Sequence, residues 1–302
     1  MKTILPVLAF AFTSVSIAYA APLREADIGA DAKWFAHVDV DAVRASTAGQ
    51  QFLAEKTNTS CNPLAVFEKE TGFDATNALD GVTCYGNGEH DQRVIVFRHH
   101  FDNAKLESWL KTKNYETDKI NDSTTAYLLP VKLKKHAEAK IIIVFPKNGV
   151  VLMGTQSGII SDAIARLNSE SVVANIPNEY RQLSVASPFL AGAADVEACR
   201  AANPHVPTWN TRATSFAIGF VNSDIKGEIR SEMASPETAQ ATANMILGYC
   251  GAQSGQIPFL KSVTADVSGD KLQVGGTLPV DVILQKIQKL KAHCNQAEAA
   301  VE

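Results

Sequence analysis

Apolar positions along the chain fall into short blocks whose period switches repeatedly between two and about 3.6, the signature of strands interleaved with helices. Trp34 to Asp39 reads as a strand, and Val40-Asp41-Ala42-Val43-Arg44-Ala45 opens a helix that continues through Phe52 and Leu53. The second half starts the same way, with Phe189 to Ala194 running into Asp195-Val196-Glu197-Ala198-Cys199-Arg200-Ala201. The shared pattern is Asp-Val-acidic-Ala-x-Arg-Ala, in which the first carboxylate is placed to cap a helix and complement its dipole.

The following elements match in order. Gly81 to Gly86 and Arg93 to His99 form a strand pair, then Asp102 caps a helix with Leu106, Trp109 and Leu110 on its buried stripe. Thr214 to Val221 and Ile225 to Met233 form the second pair, and Ser235-Pro236 starts a helix with Ala239, Thr242, Ala243, Ile246 and Tyr249 on one face. Ile141 to Phe145 turns at Asn148-Gly149 into Val150 to Met153, before a helix carrying Ile160, Ala163, Ile164 and Leu167. Leu260 to Val267 turns at Ser268-Gly269-Asp270 into Leu272 to Thr277, before a helix from Pro279 carrying Val280, Ile283, Leu284, Ile287 and Leu290. The first half adds an inserted hairpin, Tyr115 to Lys119 and Thr124 to Leu129.

The expected fold is therefore α+β: two tandem copies of a β-α-β-β-α-β-β-α unit, each an antiparallel sheet with helices packed on one face. The expected division is a signal peptide over 1–20, the first copy over 31–170, a linker over 171–185, the second copy over 186–294 and a polar tail over 295–302. The segments Ala32-Lys33-Trp34-Phe35-Ala36-His37-Val38-Asp39-Val40-Asp41-Ala42 and Gly72-Phe73-Asp74 … Asp80-Gly81-Val82-Thr83, with this element order, resemble a group of uncharacterised exported bacterial proteins with a duplicated α+β domain. The resemblance covers most of the mature chain. It implies a secreted envelope protein and supplies no catalytic residues.

Composition sharpens this reading. The 302 residues are 46% hydrophobic and 20% charged, with 28 basic and 32 acidic side chains, which excludes collagen, coiled coil and long disorder. A net charge of -4 leaves no footprint for nucleic acid. Lys2, the apolar run from Ile4 to Ile17 and Ala18-Tyr19-Ala20 before Ala21 have the layout of a cleaved export signal. The run is too short and too interrupted to stay as an anchor, so the mature chain is expected in the periplasm or outside the cell, with no transmembrane segment. There the five cysteines, Cys61, Cys84, Cys199, Cys250 and Cys294, are disulfide candidates, with Cys61 and Cys84 the favoured pair. The odd number leaves at least one thiol unpaired or shared between chains.

Candidate chemistry is sparse. Ser108-Trp109-Leu110-Lys111 has Ser-x-x-Lys spacing, but a helix that buries Trp109 and Leu110 turns Ser108 and Lys111 to solvent. Gly154-Thr155-Gln156-Ser157-Gly158 is one residue too long for a nucleophile elbow, so Thr155 or Ser157 is expected to cap the next helix. His99 and His100 point to opposite faces of one strand, and no His-x-x-x-His pair gathers a metal. The basic stretch with Lys132, Lys134, Lys135 and Lys140 offers a contact for an anionic partner. No cofactor is implied. The expected function is that of a non-catalytic envelope or interaction protein, working through the cleft between copies or an exposed sheet face and open to self-association. The competing reading is a periplasmic hydrolase whose Ser, His and Asp meet only in three dimensions.

Overall fold

Strand β1 (Trp34–Asp39) ends at Asp39, whose Oδ1 accepts from the Ala42 amide at 2.8 Å and so starts helix α1 (Val40–Ala45). Strand β8 (Leu190–Asp195) ends identically: Asp195 Oδ1 accepts from the Ala198 amide at 2.8 Å and starts α7 (Val196–Ala202). The arginines of the shared pattern also act alike. Arg44 donates to the Leu79 carbonyl (2.7 Å) and Arg200 to the Thr211 carbonyl (3.4 Å), each tying its helix to the start of the next strand. The helix expected from Val40 through Leu53 breaks at Ser46, which is extended (φ −91°, ψ 141°), before α2 (Thr47–Ala54).

The computed structural model describes residues 22–54, 68, 72–89, 92–132, 138–169, 178–185, 187–205, 210–222 and 224–285. The remaining elements are α3 (Ala75–Ala78), β2 (Leu79–Gly86), β3 (Arg93–His99), α4 (Asn103–Thr112), β4 (Glu116–Lys119), β5 (Thr125–Lys132), β6 (Glu138–Lys147), β7 (Val150–Gly154) and α5 (Ser157–Asn168) in the first half. The second half holds α6 (Asn178–Arg181), β9 (Thr211–Val221), β10 (Asp224–Met233), α8 (Pro236–Gln253), β11 (Thr264–Ser268) and β12 (Lys271–Pro279). Residues 280–285 begin a further helix.

The strands form one antiparallel sheet of twelve, ordered β11-β12-β10-β9-β8-β1-β2-β3-β7-β6-β5-β4. Outward from the centre, β1-β2-β3-β7-β6 and β8-β9-β10-β12-β11 follow the same path, and β5-β4 extends the first. The expectation of two separate sheets with a cleft between them is thereby corrected, because β1 pairs directly with β8 from Trp34↔Ala194 to Val38↔Leu190. Gly192 makes this close approach feasible. A Cβ there would lie 2.6 Å from the Phe35 carbonyl oxygen and 2.8 Å from the Phe216 ring.

Helices on one face is the second correction. On the back face, α5 buries Ile160, Ala163, Ile164 and Leu167 against Phe35, Val94, Val96, Val144 and Leu152. On the front, α4 buries Leu106 and Leu110 against Tyr127, Ile143 and Val151, with Phe97 beside them. Strands in the first half are apolar on both sides, as Ile141 to Val144 shows, so each face needs its own cover. Trp109, expected in the core, is only half-buried at the rim of the α4 cluster, with Lys113 Nζ 5.2 Å above its ring.

The second half has a thinner core. Helix α8 buries Ala239 and Ala243 over Met233 and Leu272, while Tyr249, expected on that face, is 63% exposed. The expected strand from Leu260 begins only at Thr264, since Pro258–Ser262 coils into a 3-10 turn. On the back, the segment through α6 runs as a strap: Tyr180 packs edge-on to Phe35 (centroids 5.1 Å), and Val185 joins Ala191 and Ala217. Buried Glu228 anchors the strap by accepting from the Ser184 amide at 2.9 Å and from Ser184 Oγ, while Arg230 Nε donates to it at 2.6 Å.

Gly192→Ala is expected to cost about 1 to 3 kcal/mol, because the added methyl meets backbone and a ring that cannot both withdraw. Urea unfolding of the two proteins side by side checks this, and equal midpoints would show that the seam tolerates a side chain.

Candidate functional site: an apolar trough on the front face

Register places two rows of side chains across the front. One runs Val151, Phe97, Val82, Val38, Leu190, Ile218, Gly227 and Gly276 over eight strands. Its neighbour runs Ile95, Cys84, Ala36, Gly192, Phe216, Ile229 and Val274. Helix α4 covers the first-half end of these rows and α8 covers β11 and the adjoining part of β12. Between them the rows stay partly open: Val38 is 36% exposed and Ile229 48%.

The opening deepens into a trough where Gly227 and Gly276 face each other across β10 and β12. A Cβ at Gly227 would meet nothing within 4 Å. The floor of paired glycines is bounded by Ile229 and Val274 at one end and Ile225 and Leu278 at the other, with Phe216 and Ile218 along β9. Phe259 and Val263 form the far wall, held to β12 by Ser262, whose hydroxyl accepts from the Thr277 amide (2.9 Å) and donates to the Thr277 carbonyl (2.7 Å). The trough encloses about 330 Å³. Glu228, the only charged lining residue among the described residues, projects to the back by alternation. Burial pushes the Glu228 carboxyl up, but donation from Ser184 and Arg230 outweighs this and holds its pKa below the usual range. With no charged side chain among the described residues aimed into it, the trough suits an apolar partner surface.

Polar clusters lie elsewhere. His37 Nδ1 is 2.9 Å from Thr83 Oγ1, a hydroxyl–imidazole pair buried on the back face. At the end of the sheet, Arg44 pairs with Asp41 and reaches Asp80 (3.8 Å), while exposed His100 contacts Asp80 at 2.8 Å. His99, on the opposite face as alternation requires, is 3% exposed and stacks on Phe101 with ring centroids 3.5 Å apart. Neither of its ring nitrogens has a well-formed hydrogen bond. Burial drives its pKa down to about 4, and Asp80 and the Phe101 backbone offset only part of the loss. Among the described residues no set of three metal-ligating side chains assembles.

The residues singled out in the sequence do not converge. Cys84, Cys199 and Cys250 are each unpaired, and Cys61 and Cys294 lie outside the described residues, as do the expected export signal and Lys134 and Lys135. Lys132 stands opposite Glu138 in β5, and exposed Lys140 pairs with Glu116 at 2.6 Å. Ser108 and Lys111 face solvent, Lys111 3.9 Å from Glu107. The expected cap at Thr155 or Ser157 is corrected: Gln156 occupies the cap position without a side-chain bond, and Ser157 is already helical. Sequence reading missed the trough. The available signal was glycine inside two strand patterns, Gly227 and Gly276, a residue that weakens strands unless the space is used.

No family model and no curated protein matches this chain. Among solved structures it is similar to TP0453. Crystal form III of that protein is 10% identical with a TM-score of 0.52, covering 86% of this chain and 95% of that one. Crystal form IV is 11% identical with a TM-score of 0.52, covering 89% and 97%. The likeness is one of fold.

Two outcomes are expected. Gly227→Val should leave the fold intact, raise stability by roughly 0.5 to 1 kcal/mol by removing a glycine from a strand, and fill the trough; a loss of stability in urea would show that the floor is not open. Because His99 has a lowered pKa when folded, the unfolded chain binds the extra proton, so its contribution is complete above pH 6.5 and disappears as pH falls towards 4. That contribution is about 3 kcal/mol, and His99→Leu should flatten the stability–pH curve over this window.

Proposed function

We propose that this chain is an exported, non-catalytic envelope protein of two tandem α+β units that works by binding through the front face of its second half. The observation that carries the reading is the trough: an apolar, glycine-floored depression beside partly exposed Ile229, with no charged side chain among the described residues projecting into it. Export is supported by the Lys2, apolar run and Ala18-Tyr19-Ala20 layout. Duplication is supported by the common strand path of the halves and by the matched Asp39 and Asp195 caps.

N-terminal sequencing of protein recovered from its own envelope should return Ala21, and a start at Met1 would remove the export reading. Native mass spectrometry of the same material should show an added mass, ligand or polypeptide, that Gly227→Val loses. Identical spectra for the two proteins would sink the binding reading, and labelling by a serine-directed fluorophosphonate would replace it with a hydrolase.

A further inference from the structure

We propose that the chain plugs its own trough: the amphipathic helix that starts at Val280 lies in it, and a partner gains the surface by displacing that helix. This rests on the binding surface assigned above and adds the control of access to it.

Connectivity brings the helix to the trough. Strand β12 lines the trough as it runs from Val274 through Gly276 to Leu278, and the helix begins two residues on, at Val280. The chain passes from strand to helix with no intervening residue, as it also does at Asp39–Val40 and Asp195–Val196. Val280, Ile283, Leu284, Ile287 and Leu290 recur at helical spacing, with Asp281, Gln285, Lys286 and Lys289 on the opposite side. As far as residue 285 the apolar side is already turned to the protein. Val280 is buried and Ile283 and Leu284 are half-buried, while Asp281 and Gln285 are exposed.

Two faces of the sheet compete for that side, and their composition decides. On the back, the strap crosses β8 to β10, where Val185 meets Ala191 and Ala217 and Ser184 meets Glu228. Beyond it lies a hollow of about 290 Å³ lined by Gln182, Arg230, Asp266, Lys271 and Gln273. An apolar helix face laid there would strip water from three charged groups. The front offers Ile225 and Leu278 at the near end of the trough and Ile229 and Val274 at the far end, with no charged side chain among the described residues between them. In the first half, α5 also follows the second strand of a hairpin and covers the back, because Val94, Val96 and Leu152 make that side apolar. The second half carries Lys226, Arg230 and Gln273 on its back instead, which leaves the front for its helix.

The dimensions agree. Ten steps from Val280 to Leu290 make a helix about 15 Å long and about 10 Å across. The trough is about 14 Å from Val274 to Leu278, and β9, β10 and β12 give it a width of about 10 Å. Gly227 and Gly276 leave the depth that branched side chains need. A tethered helix meets the trough at an effective concentration in the ~mM range, so a contact too small to hold a free partner suffices. Docked about nine-tenths of the time, it would weaken a partner's apparent affinity about tenfold.

Hydrogen exchange read by mass spectrometry on the mature chain tests this. A helix this short is marginal in isolation, so protection of residues 283–290 reports docking. Their amides should exchange about tenfold slower than in an unstructured peptide. Ile229→Asp, at an exposed side chain on the trough, and Ile287→Asp, on the helix, should each return the segment to peptide rates while the strands stay protected. The dye 1-anilinonaphthalene-8-sulfonate should bind Ile287→Asp about tenfold more tightly than wild type, and adding Ile229→Asp should abolish the gain. Peptide-rate exchange of the segment in wild type overturns the proposal, as does protection that survives Ile229→Asp, which would put the helix on another surface. Equal dye affinity for wild type and Ile287→Asp overturns it too. If the segment is unprotected yet envelope-purified wild type carries an added mass that Gly227→Val loses, the plug falls and the binding reading stands. If the segment is protected and Ile287→Asp leaves the envelope as bare as wild type, the plug holds and the binding reading falls.

Discussion

The pairing of β1 with β8 is the constraint on which the rest of the molecule depends. Without it each half would end in an unpaired strand, an open template for another chain. With it, twelve strands share one ladder, and the edges move out to β11 and β4. The seam is built of small residues on the β8 side, Ala191-Gly192-Ala193-Ala194, so that side chains from the flanking strands can close over it. Phe35 does so from the back, where it packs with Ala193, and Phe216 from the front, where Gly192 leaves room for its ring beside the Phe35 carbonyl. The strap through Ser184 and the bidentate ion pair of Arg98 with buried Asp27 then close the back of the same region.

That continuity makes the front face a single surface. In the first half the α4 cluster closes it with large side chains such as Leu110 and Tyr127. The second half meets the same geometry with smaller ones, Ala239 and Ala243 beneath α8 and the glycine pair on the floor. A helix that rests on alanines sits close to the sheet but shields a narrow strip of it. The rows therefore emerge from under α4 as a closed core and reach β10 as an open depression, with no break in hydrogen bonding between.

Much of this was legible in the residues because it is local. Alternating strands, the Asp39 and Asp195 caps, the hairpin turns with Gly149 and Gly269 at φ of 74° and 62°, and the strand pairs all follow from neighbours in sequence. What was not legible depends on partners far apart. Nothing in Trp34 to Val38 says that its second neighbour is Leu190 to Ala194, so one sheet read as two. Trp109 and Tyr249 were assigned inward because helical period finds a stripe without saying how wide the covered strip is. Gly227 and Gly276 are unremarkable alone and form a floor only once register sets them opposite each other. His99 and His100 went the other way, since alternation alone separated the buried ring from the exposed one.

The treatment of charge bears on what the front face is for. Soluble sheets protect vulnerable backbone and apolar surface with charged residues, and this chain does so at its outer edge, where β4 is Glu116-Thr117-Asp118-Lys119 with every residue exposed. At the opposite edge, Asp266 occupies the middle of β11. Val38, Leu190, Ile218 and Ile229 carry no such guard, and neither does the exposed side of α8 beyond Glu237 in its first turn. One charged residue in either front row would have sufficed to make that surface inert, and Gly227 shows that the backbone has room for it. A sequence that guards its edges and leaves its front unguarded has the surface that the proposed binding through that face requires.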